Sequence, residues 1–422
     1  MAEQRTSRQQ IGDLHKVLEI TRAMAASEDL DALLSLIVER DMELLDAERA
    51  TVFLYDDDAD ELVSRIAHGE KEIRIPAAAG IAGAAAAGGE AVSVPDAYAD
   101  ARFNPDVDRR TGFRTRNILA IPMRGYDSRL VGVLQVLNKR RGEFDTGDLD
   151  LAETMAAQAG VAIQRANLIE HYLEKQQMER AMAIARQIQQ ALLPQEAPAI
   201  DGYDVAGFSR PADETGGDTY DFLELPDGRW MFTVADATGH GVGPALVIAE
   251  TRAMLRAICV QSDGSADVGD VLGTTNNLLQ WDLTDGRFVT CFLGLLDPRR
   301  DELVYGSAGH GPLLFYARDA DEFQKVPATG IPLGVLEGMD FSITETRYLA
   351  AGDLAVIITD GFFEAANPDG EEFGIPRIVE LLRDARDLTA AEMIQRLVTA
   401  VTNFTASQPQ ADDLTAVVVK KT

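Results

Sequence analysis

Residues 230–258 read WMFTVADATGHGVGPALVIAETRAMLRAI, a stretch that predicts a strand, a tight turn and a helix in succession. The apolar run WMFTVA predicts a buried strand that delivers Asp236 at its end, and the spacing after Pro244 predicts a helix. Glycines in the turn let the main chain approach a ligand and present carbonyl oxygens to it. Because the turn contains neither serine nor cysteine, it favours binding of a hard cation over nucleophilic catalysis.

Three further aspartates stand at the ends of predicted apolar strands. Asp218 in GGDTYD precedes a strand, Asp360 follows the run DLAVIIT, and Asp412 precedes the run TAVVVK. Four carboxylates at strand ends are costly to bury together unless a cation neutralises them. The sequence has no cluster of Cys or His, so it favours an oxygen-ligand site for Mg²⁺ or Mn²⁺ over a zinc site.

The composition argues for a multidomain globular protein and against several other classes. A chain of 422 residues exceeds what one hydrophobic core usually organises. The formal charge of −30 argues against nucleic-acid binding, and no apolar run is long enough to span a membrane. The sequence lacks the pattern of a secretory signal, so we expect a cytoplasmic protein in which Cys259 and Cys291 are buried free thiols.

The N-terminal part of the chain has the mixed pattern of an α+β domain. Residues 29–46 have helical spacing, and RATVFLYDDDADELVSRIA contains two strand-like runs joined by an acidic turn. The stretch NILAIPMRGYDSRLVGVLQVLNKR predicts a second hairpin, and a helix from Asp148 closes the unit. This hairpin and helix resemble the last strands and exit helix of a GAF domain, a small-molecule or signal-sensing module, which we assign to residues 15–160.

The GAF resemblance does not identify a ligand. In cyclic-nucleotide-binding GAF domains an Asn-Lys pair is followed by Phe, three residues and then Asp-Glu. Asn138, Lys139, Phe144 and Asp148 match this pattern, but Leu149 stands where the glutamate is expected. We therefore favour a ligand-free or dimerising sensor fold over a cyclic-nucleotide receptor, and the ligand stays unknown.

A long helical linker is predicted over residues 161–193. Apolar positions recur in steps of three and four, which is typical of a coiled-coil seam. The seam positions are Ala159, Ala162, Ala166, Ile169, Leu173, Ala181, Ile184, Ile188 and Ala191. Two successive four-residue steps through Gln177 form a stutter, which locally unwinds a coiled coil. We expect a homodimer through the linker and the GAF domain; the alternative is a single helix packed on its own domain.

The C-terminal phrases resemble, in family order, the metal-dependent protein phosphatases (PPM family) of the SpoIIE-like branch. They include FSRPADETGGDTYDF, VADATGHGVGPAL, YGSAGHGPLL, ITDGFFEA and ADDLTAVVV, and we assign residues 194–422 to this domain. The resemblance implies an αββα sandwich, so the whole chain is predicted to be α+β. It also implies hydrolysis of phosphoserine or phosphothreonine on a partner protein, for which a STAS-type anti-anti-sigma factor is the expected class.

The same resemblance implies roles for individual residues. Asp236 would bridge two divalent cations, Mn²⁺ or Mg²⁺. The Ala237 carbonyl and Asp218 would hold one cation, whereas Asp360 and Asp412 would hold the other. A water between two such cations loses a proton near neutral pH and attacks phosphorus in line, without a covalent enzyme intermediate.

One catalytic role and two other functions complete the sequence-based predictions. His240 is a candidate general acid for the leaving serine or threonine oxygen, with a structural turn histidine as the alternative. GGDTYDF superficially resembles the GGDEF hairpin of diguanylate cyclases, but a cyclase leaves Asp360 and Asp412 unexplained. The non-enzymatic alternative is a signalling scaffold without metals, against which the intact set of acids argues.

Overall fold

The computed structural model describes residues 7–27, 29–67, 73–262, 265, 267–283, 286–406 and 408–422. The chain divides into two compact units, Met1–Gln177 and Met178–Thr422, and each unit has its own hydrophobic cores. None of the helices in the described part of the chain has the length and apolar character needed to cross a lipid bilayer.

The first unit is an antiparallel sheet covered by helices. Its sheet has the strand order β3-β2-β1-β6-β5-β4. The elements are α1 (Ser7–Ala26), α2 (Leu30–Leu44), β1 (Ala47–Asp56), β2 (Glu61–Ala67), β3 (Ile73–Pro76), α3 (Gly80–Gly88), β4 (Val92–Val94), α4 (Asp106–Thr111), β5 (Ile118–Arg124), β6 (Leu130–Lys139) and the start of α5 (Thr146–Leu192). The pairs β1–β2 and β5–β6 are the two hairpins that the sequence predicts.

The long helix α5 contributes its first apolar face to the core of this unit. Ala159 and Ala166 are buried there with residues of α1, α2 and the sheet. The prediction that these two positions join a seam between chains is therefore wrong, because the chain's own core covers them. Among the seam positions, those exposed lie farther along the helix, at Leu173, Ala181, Ile184, Ile188 and Ala191.

The second unit is a sandwich of two antiparallel sheets between two pairs of helices. The strand orders are β14-β11-β10-β9-β8 in one sheet and β13-β12-β15-β16-β7 in the other. The elements are β7 (Tyr203–Arg210), β8 (Asp218–Glu224), β9 (Trp230–Ala237), α6 (Val242–Gln261), α7 (Val268–Asp282), β10 (Val289–Asp297), β11 (Glu302–Ala308), β12 (Leu313–Ala317), β13 (Glu322–Val326), β14 (Glu345–Tyr348), β15 (Leu354–Ile358), α8 (Gly374–Asp384), α9 (Ala390–Phe404) and β16 (Leu414–Lys421).

Alternation along the strands decides which side chains lie between the two sheets. In β9, Met231 and Ala235 pack against α6 and α7, whereas Phe232 and Val234 pack against the other sheet. Because side chains of a strand point alternately to its two faces, Asp236 continues the row that lies between the sheets. The αββα architecture thus places this carboxylate at the end of the inner layer.

Candidate metal centre

Two aspartates lie side by side on neighbouring strands of the first sheet. Asp218 is the first residue of β8 and pairs directly with Asp236 of β9. Residues that face each other across an antiparallel pair project from the same face of the sheet, about 5 Å apart at Cβ. Asp236 also pairs with Thr290 of β10, so the row Asp218, Asp236, Thr290 crosses three strands on the inner face.

The second sheet meets this row with a buried threonine and a further aspartate. The Thr359 hydroxyl, directly after β15, donates to Asp218 Oδ2 over 2.8 Å and accepts from the Thr415 amide over 3.0 Å. Asp413, directly before β16, accepts hydrogen bonds from the amides of Ala212 at 2.7 Å and Asp218 at 3.2 Å. These bonds join the ends of both sheets around the carboxylates.

Burial and like charge raise the pKa values of the clustered acids. Burial, followed by the charges of Asp360, Asp412 and Asp413, raises the pKa of Asp236 to about 7. The pKa of Asp218 is raised well above its usual range by burial and by Asp236 and Asp413. Burial and Asp412 raise the pKa of Asp360 to about 6. The four predicted ligand carboxylates are therefore close enough to act on one another electrostatically.

The main chain of the turn also approaches the site closely. A side chain at Gly217 would place its Cβ 2.6 Å from the Ala237 carbonyl oxygen and 3.4 Å from Pro244. Only a residue without Cβ fits there, so the Ala237 carbonyl lies against the loop that ends in Asp218. This brings the fifth predicted ligand to the same end of the sandwich.

The donor set fits a hard divalent cation. It consists of carboxylates and a carbonyl, the ligands that Mg²⁺ and Mn²⁺ prefer. Within the described residues, no group of three or more His, Cys, Asp and Glu side chains stands close enough to hold a metal ion without rearrangement. The mutual electrostatic effects nevertheless show that the acids repel one another, and a cation between them would remove that repulsion.

His240 lies apart from the inner row. Its side chain is exposed, and Nδ1 lies 3.0 Å from Asp213 Oδ2. The pair belongs to the loops that precede α6 and β8. The catalytic role of His240 stays a prediction, since the structure assigns its imidazole an acidic partner and no contact with the carboxylate row.

A further buried aspartate on β8 is neutralised by the chain itself. Asp221 points to the opposite face from Asp218 and lies under α6. Arg256 Nη2 donates to its Oδ1 over 2.7 Å, and Arg252 Nε lies 3.2 Å from its Oδ2. Asp221 is thus part of an ion-pair network and has no carboxylate oxygen left for the metal site.

Helix α5 contacts the site through a residue that sequence reasoning missed. Gln189 Nε2 donates to the Gly216 carbonyl over 2.6 Å, and Gln189 Oε1 accepts from the Gly216 amide over 3.0 Å. Gly216 is two residues before Asp218. Thr359 lies within the family phrase ITDGFFEA, but neither Gln189 nor Thr359 stands in a pattern typical of a ligand site, so sequence reasoning assigned them no role.

The first unit contains a separate cavity of about 200 Å³ between the sheet and its covering segments. Its walls include Phe53, Phe103 and Phe113. The Asn-Lys motif lies elsewhere: Lys139 forms an ion pair with Asp148, which joins β6 to the start of α5. That motif therefore stabilises the fold.

Comparisons with known proteins match the two parts of the chain to two different families. The family model for stage II sporulation protein E (SpoIIE) matches residues 226–422, and the GAF domain model matches residues 29–163. The first of these segments contains Asp236, Ala237, Asp360 and Asp412, and Asp218 lies just before it.

Individual relatives match one part of the chain or the other. Phosphoserine phosphatase RsbU of Bacillus subtilis is 24% identical over 247 residues, which are 58% of this chain and 72% of that protein. A probable 3',5'-cyclic phosphodiesterase, pde-5 of Caenorhabditis elegans, is 35% identical over 167 residues, but the match covers only 22% of its length. The chain thus spans about a fifth of that phosphodiesterase.

A solved structure supports the fold of the second unit. The SiaA-PP2C domain of Pseudomonas aeruginosa superimposes with a TM-score of 0.52 at 26% identity, covering 58% of this chain and 98% of that domain. Together with the two family matches, this structure confirms the predicted α+β fold and the predicted order of its parts. The chain joins a GAF domain to a PPM-type phosphatase domain of the SpoIIE family.

Proposed function

We propose that the chain is a regulated, metal-dependent phosphatase that hydrolyses phosphoserine or phosphothreonine on a partner protein. One observation carries this proposal: Asp218, Asp236 and Asp360 come from the ends of both sheets, and burial together with neighbouring carboxylates raises the pKa of each of them. Such an arrangement favours bound cations. The SpoIIE-family match of the same unit supports phosphoryl chemistry at that position.

In this proposal the acids hold two divalent cations, Mn²⁺ or Mg²⁺. When bound, such cations supply an activated water and offset charge on the phosphoryl oxygens. Asp236 would contact both cations, the Ala237 carbonyl and Asp218 would hold one, and Asp360 and Asp412 would hold the other. Thr359 orients the Asp218 carboxylate through its hydroxyl. His240, paired with Asp213, is proposed to protonate the leaving oxygen.

We infer that the substrate is a phosphorylated regulatory protein, with a STAS-type anti-anti-sigma factor as the first to test. The relative RsbU is named a phosphoserine phosphatase and matches over most of its length. The chain's charge of −30 argues against a nucleic-acid substrate, whose phosphates it would repel. We also propose that the protein acts in the cytoplasm.

Regulation is proposed to reach the site through α5. Gln189 holds the main chain of Gly216 by two hydrogen bonds, so a movement of this helix would displace the loop that carries Asp218. Exposed Leu173, Ile184 and Ile188 give the same helix an apolar face that a second copy would cover. Sedimentation at micromolar concentration tests this: a strict monomer contradicts pairing through the linker.

The proposed activity is tested by phosphate release from phosphorylated STAS-type proteins, with and without Mn²⁺. Asp236→Asn should lower the rate about a thousandfold, because the residue shared by both cations is lost. Asp369→Asn, in an exposed turn, is the matched control and should leave the rate unchanged. Full activity of Asp236→Asn, or equal wild-type rates with Mn²⁺ and with EDTA, would contradict the proposal.

Two other outcomes would identify the alternatives. Formation of cyclic diguanylate from GTP would indicate a cyclase. Tight binding of a phosphoprotein without turnover in any divalent cation would indicate a scaffold. An aryl phosphate such as p-nitrophenyl phosphate provides a first substrate that is independent of the partner's identity.

A further inference from the structure

A buried histidine, His310, lies next to the carboxylate row but is assigned no role in the chemistry above. Thr290, the cross-strand partner of Asp236, has its Oγ1 3.1 Å from His310 Nδ1. Thr290 and Asp236 project from the same face of the sheet. His310 therefore contacts the inner row one residue away from Asp236, on the side opposite Asp218.

His310 is also linked to the strand that leads to Asp360. The imidazole is buried, with 3% of the residue exposed, in the connection between β11 and β12. The main chain of Ile358, the last residue of β15, lies beside the ring. Thr359 and Asp360 follow Ile358 directly. One side chain thus lies between the first sheet at Thr290 and the second sheet at Ile358.

Hydrogen bonds fix the main chain at His310. The His310 carbonyl accepts a hydrogen bond from the Ser307 hydroxyl, and the Ser307 amide donates to Thr329 Oγ1 over 2.8 Å. Burial lowers the pKa of His310 to about 4, so the ring is neutral at pH 7. A neutral ring that accepts a hydrogen bond from the Thr290 hydroxyl at Nδ1 carries its own proton on Nε2.

Besides its contact with Thr290, the ring has a main-chain hydrogen-bonding interaction with Ile358, but its geometry is not that of a normal bond. Within the described residues, Nε2 of His310 is buried and makes no hydrogen bond of normal geometry. An unpaired buried polar atom typically costs about 1–3 kcal/mol, so an apolar side chain would suit a purely structural position better. The imidazole stands at the junction of the two sheets, between Thr290 and Ile358, beside the strand ends that carry Asp236 and Asp360.

We propose that His310 is a positioning residue for the metal site: it spans Thr290, opposite Asp236, and the end of β15, which leads to Asp360. By fixing the separation of these strand ends, it sets the distance between the two carboxylates. The inference rests on the proposed function insofar as those carboxylates hold cations. His310 itself contacts neither the cations nor the substrate.

Substitutions can test the two ends of the imidazole separately. Thr290→Val keeps the shape of the side chain but removes the hydroxyl at the Nδ1 end. His310→Asn keeps a polar atom near the Nδ1 position, and His310→Gln keeps one near the Nε2 position. The control is Thr233→Val, because Thr233 in β9 is buried more deeply than Thr290 but donates to the Phe292 carbonyl on the other face of the sheet.

The experiment is a calorimetric titration of the full chain with Mn²⁺, with the melting temperature of each variant recorded in parallel. Thr290→Val and both His310 variants should bind Mn²⁺ about tenfold more weakly than the wild type, as is typical when a residue that orients a ligand is changed. Thr233→Val should lower the melting temperature at least as much as Thr290→Val does, but leave the Mn²⁺ affinity unchanged.

Each result supports or overturns the positioning role. Mn²⁺ affinity within twofold of wild type in folded Thr290→Val overturns it, even if the His310 variants do not fold. An equal loss of affinity in Thr233→Val overturns it as well, because the effect would then follow stability. Wild-type chain that binds Mn²⁺ but releases no phosphate refutes the proposed function alone, and the affinities still decide the role of His310. Wild-type chain that binds no Mn²⁺ refutes both.

Discussion

Two aspartates on strand β8, three residues apart, show two ways in which the fold accommodates a buried carboxylate. Asp221 points towards α6, where Arg252 and Arg256 contact both of its oxygens. Asp218 points towards the second sheet, where Asp236 and Asp413 raise its pKa and a threonine hydroxyl donates to it. Asp218 and Asp221 lie on the same strand and are both buried. They differ in the charges of the side chains that pack against them.

The difference shows which buried acids need a cation from outside the chain. Asp221 already has two guanidinium partners, so its charge is neutralised by the fold. Among the described residues, the partners recorded around Asp218 are hydrogen-bond donors and further acids, so their repulsion is removed either by protons or by bound cations. A strand-end aspartate is therefore a candidate metal ligand only when its neighbours leave the charge uncompensated.

The largest change in stability is expected when the compensated acid is altered. Asp221→Asn leaves the guanidinium of Arg252, 11% exposed, without its charged partner. We expect the free energy of unfolding to fall by about 3–5 kcal/mol. Urea denaturation of the full chain measures this, with Asp369→Asn as a surface control expected to stay within about 0.5 kcal/mol. A loss no larger than that of the control would refute the assigned role of the arginines.

Asp41 in the first unit separates the effect of burial from that of like charge. It occupies a core position of α2, neither carboxylate oxygen has a partner among the described residues, and burial alone raises its pKa to about 8. Between pH 3.8 and about 8 the folded state retains a proton that the unfolded state has lost. Stability should therefore fall as the pH rises through this window.

Asp41→Asn removes this titration. We expect the variant to match the wild type near pH 4 and to exceed it by about 5 kcal/mol at pH 8. Differential scanning calorimetry at both pH values provides the measurement. Asp41 lies in the first unit and the proposed metal site in the second, so the relevant unfolding transition is the one whose temperature does not change when Mn²⁺ is added. Parallel pH profiles for variant and wild type would show that Asp41 is ionised or partnered in the folded protein.

Asp218→Asn should have the opposite sign to Asp221→Asn. In EDTA the substitution removes one of the mutually repelling acids, and we expect a gain of about 1–2 kcal/mol in the free energy of unfolding. The same variant should lose most of the stabilisation that Mn²⁺ gives the wild type. Destabilisation in EDTA similar to that of Asp221→Asn would show that the two faces of β8 do not differ as described.

The smallest effect is expected at the contact between α5 and the loop before Asp218. Gln189→Ala removes two hydrogen bonds to the Gly216 main chain and should lower kcat/KM for a phosphoprotein about tenfold. The melting temperature should change little. Gln187→Ala, exposed on the same helix, is the control. Equal rates for the two variants would remove the support for regulation through this contact.

Local patterns were sufficient for most of the fold and for the candidate ligands. The alternating and helical runs predicted the hairpins and the long helix, and the family resemblance implied the two-sheet sandwich. The strand-end positions singled out Asp218, Asp236, Asp360 and Asp412, whose role as metal ligands stays a prediction. These features are patterns that span a few residues or phrases shared with a known family, so they can be recognised in a single sequence.

Contacts between distant residues were not predictable in the same way. Gln189 meets Gly216 from 27 positions away, and Thr359 meets Asp218 from 141 positions away. Such pairings depend on the packing of whole elements. Asp41 was missed for a related reason: it falls on the apolar stripe of α2, where a polar residue looks like a break in the pattern. The seam at Ala159 and Ala166 was misassigned because periodicity does not say which surface covers it.

The central claim is that the acids of both sheets converge on divalent cations. Anomalous diffraction from crystals grown with Mn²⁺ tests it most directly. The account predicts strong anomalous peaks within coordination distance of Asp236, one shared with the Ala237 carbonyl and one with Asp360. Full occupancy of Mn²⁺ at other sites, with no peak beside Asp236, would contradict it.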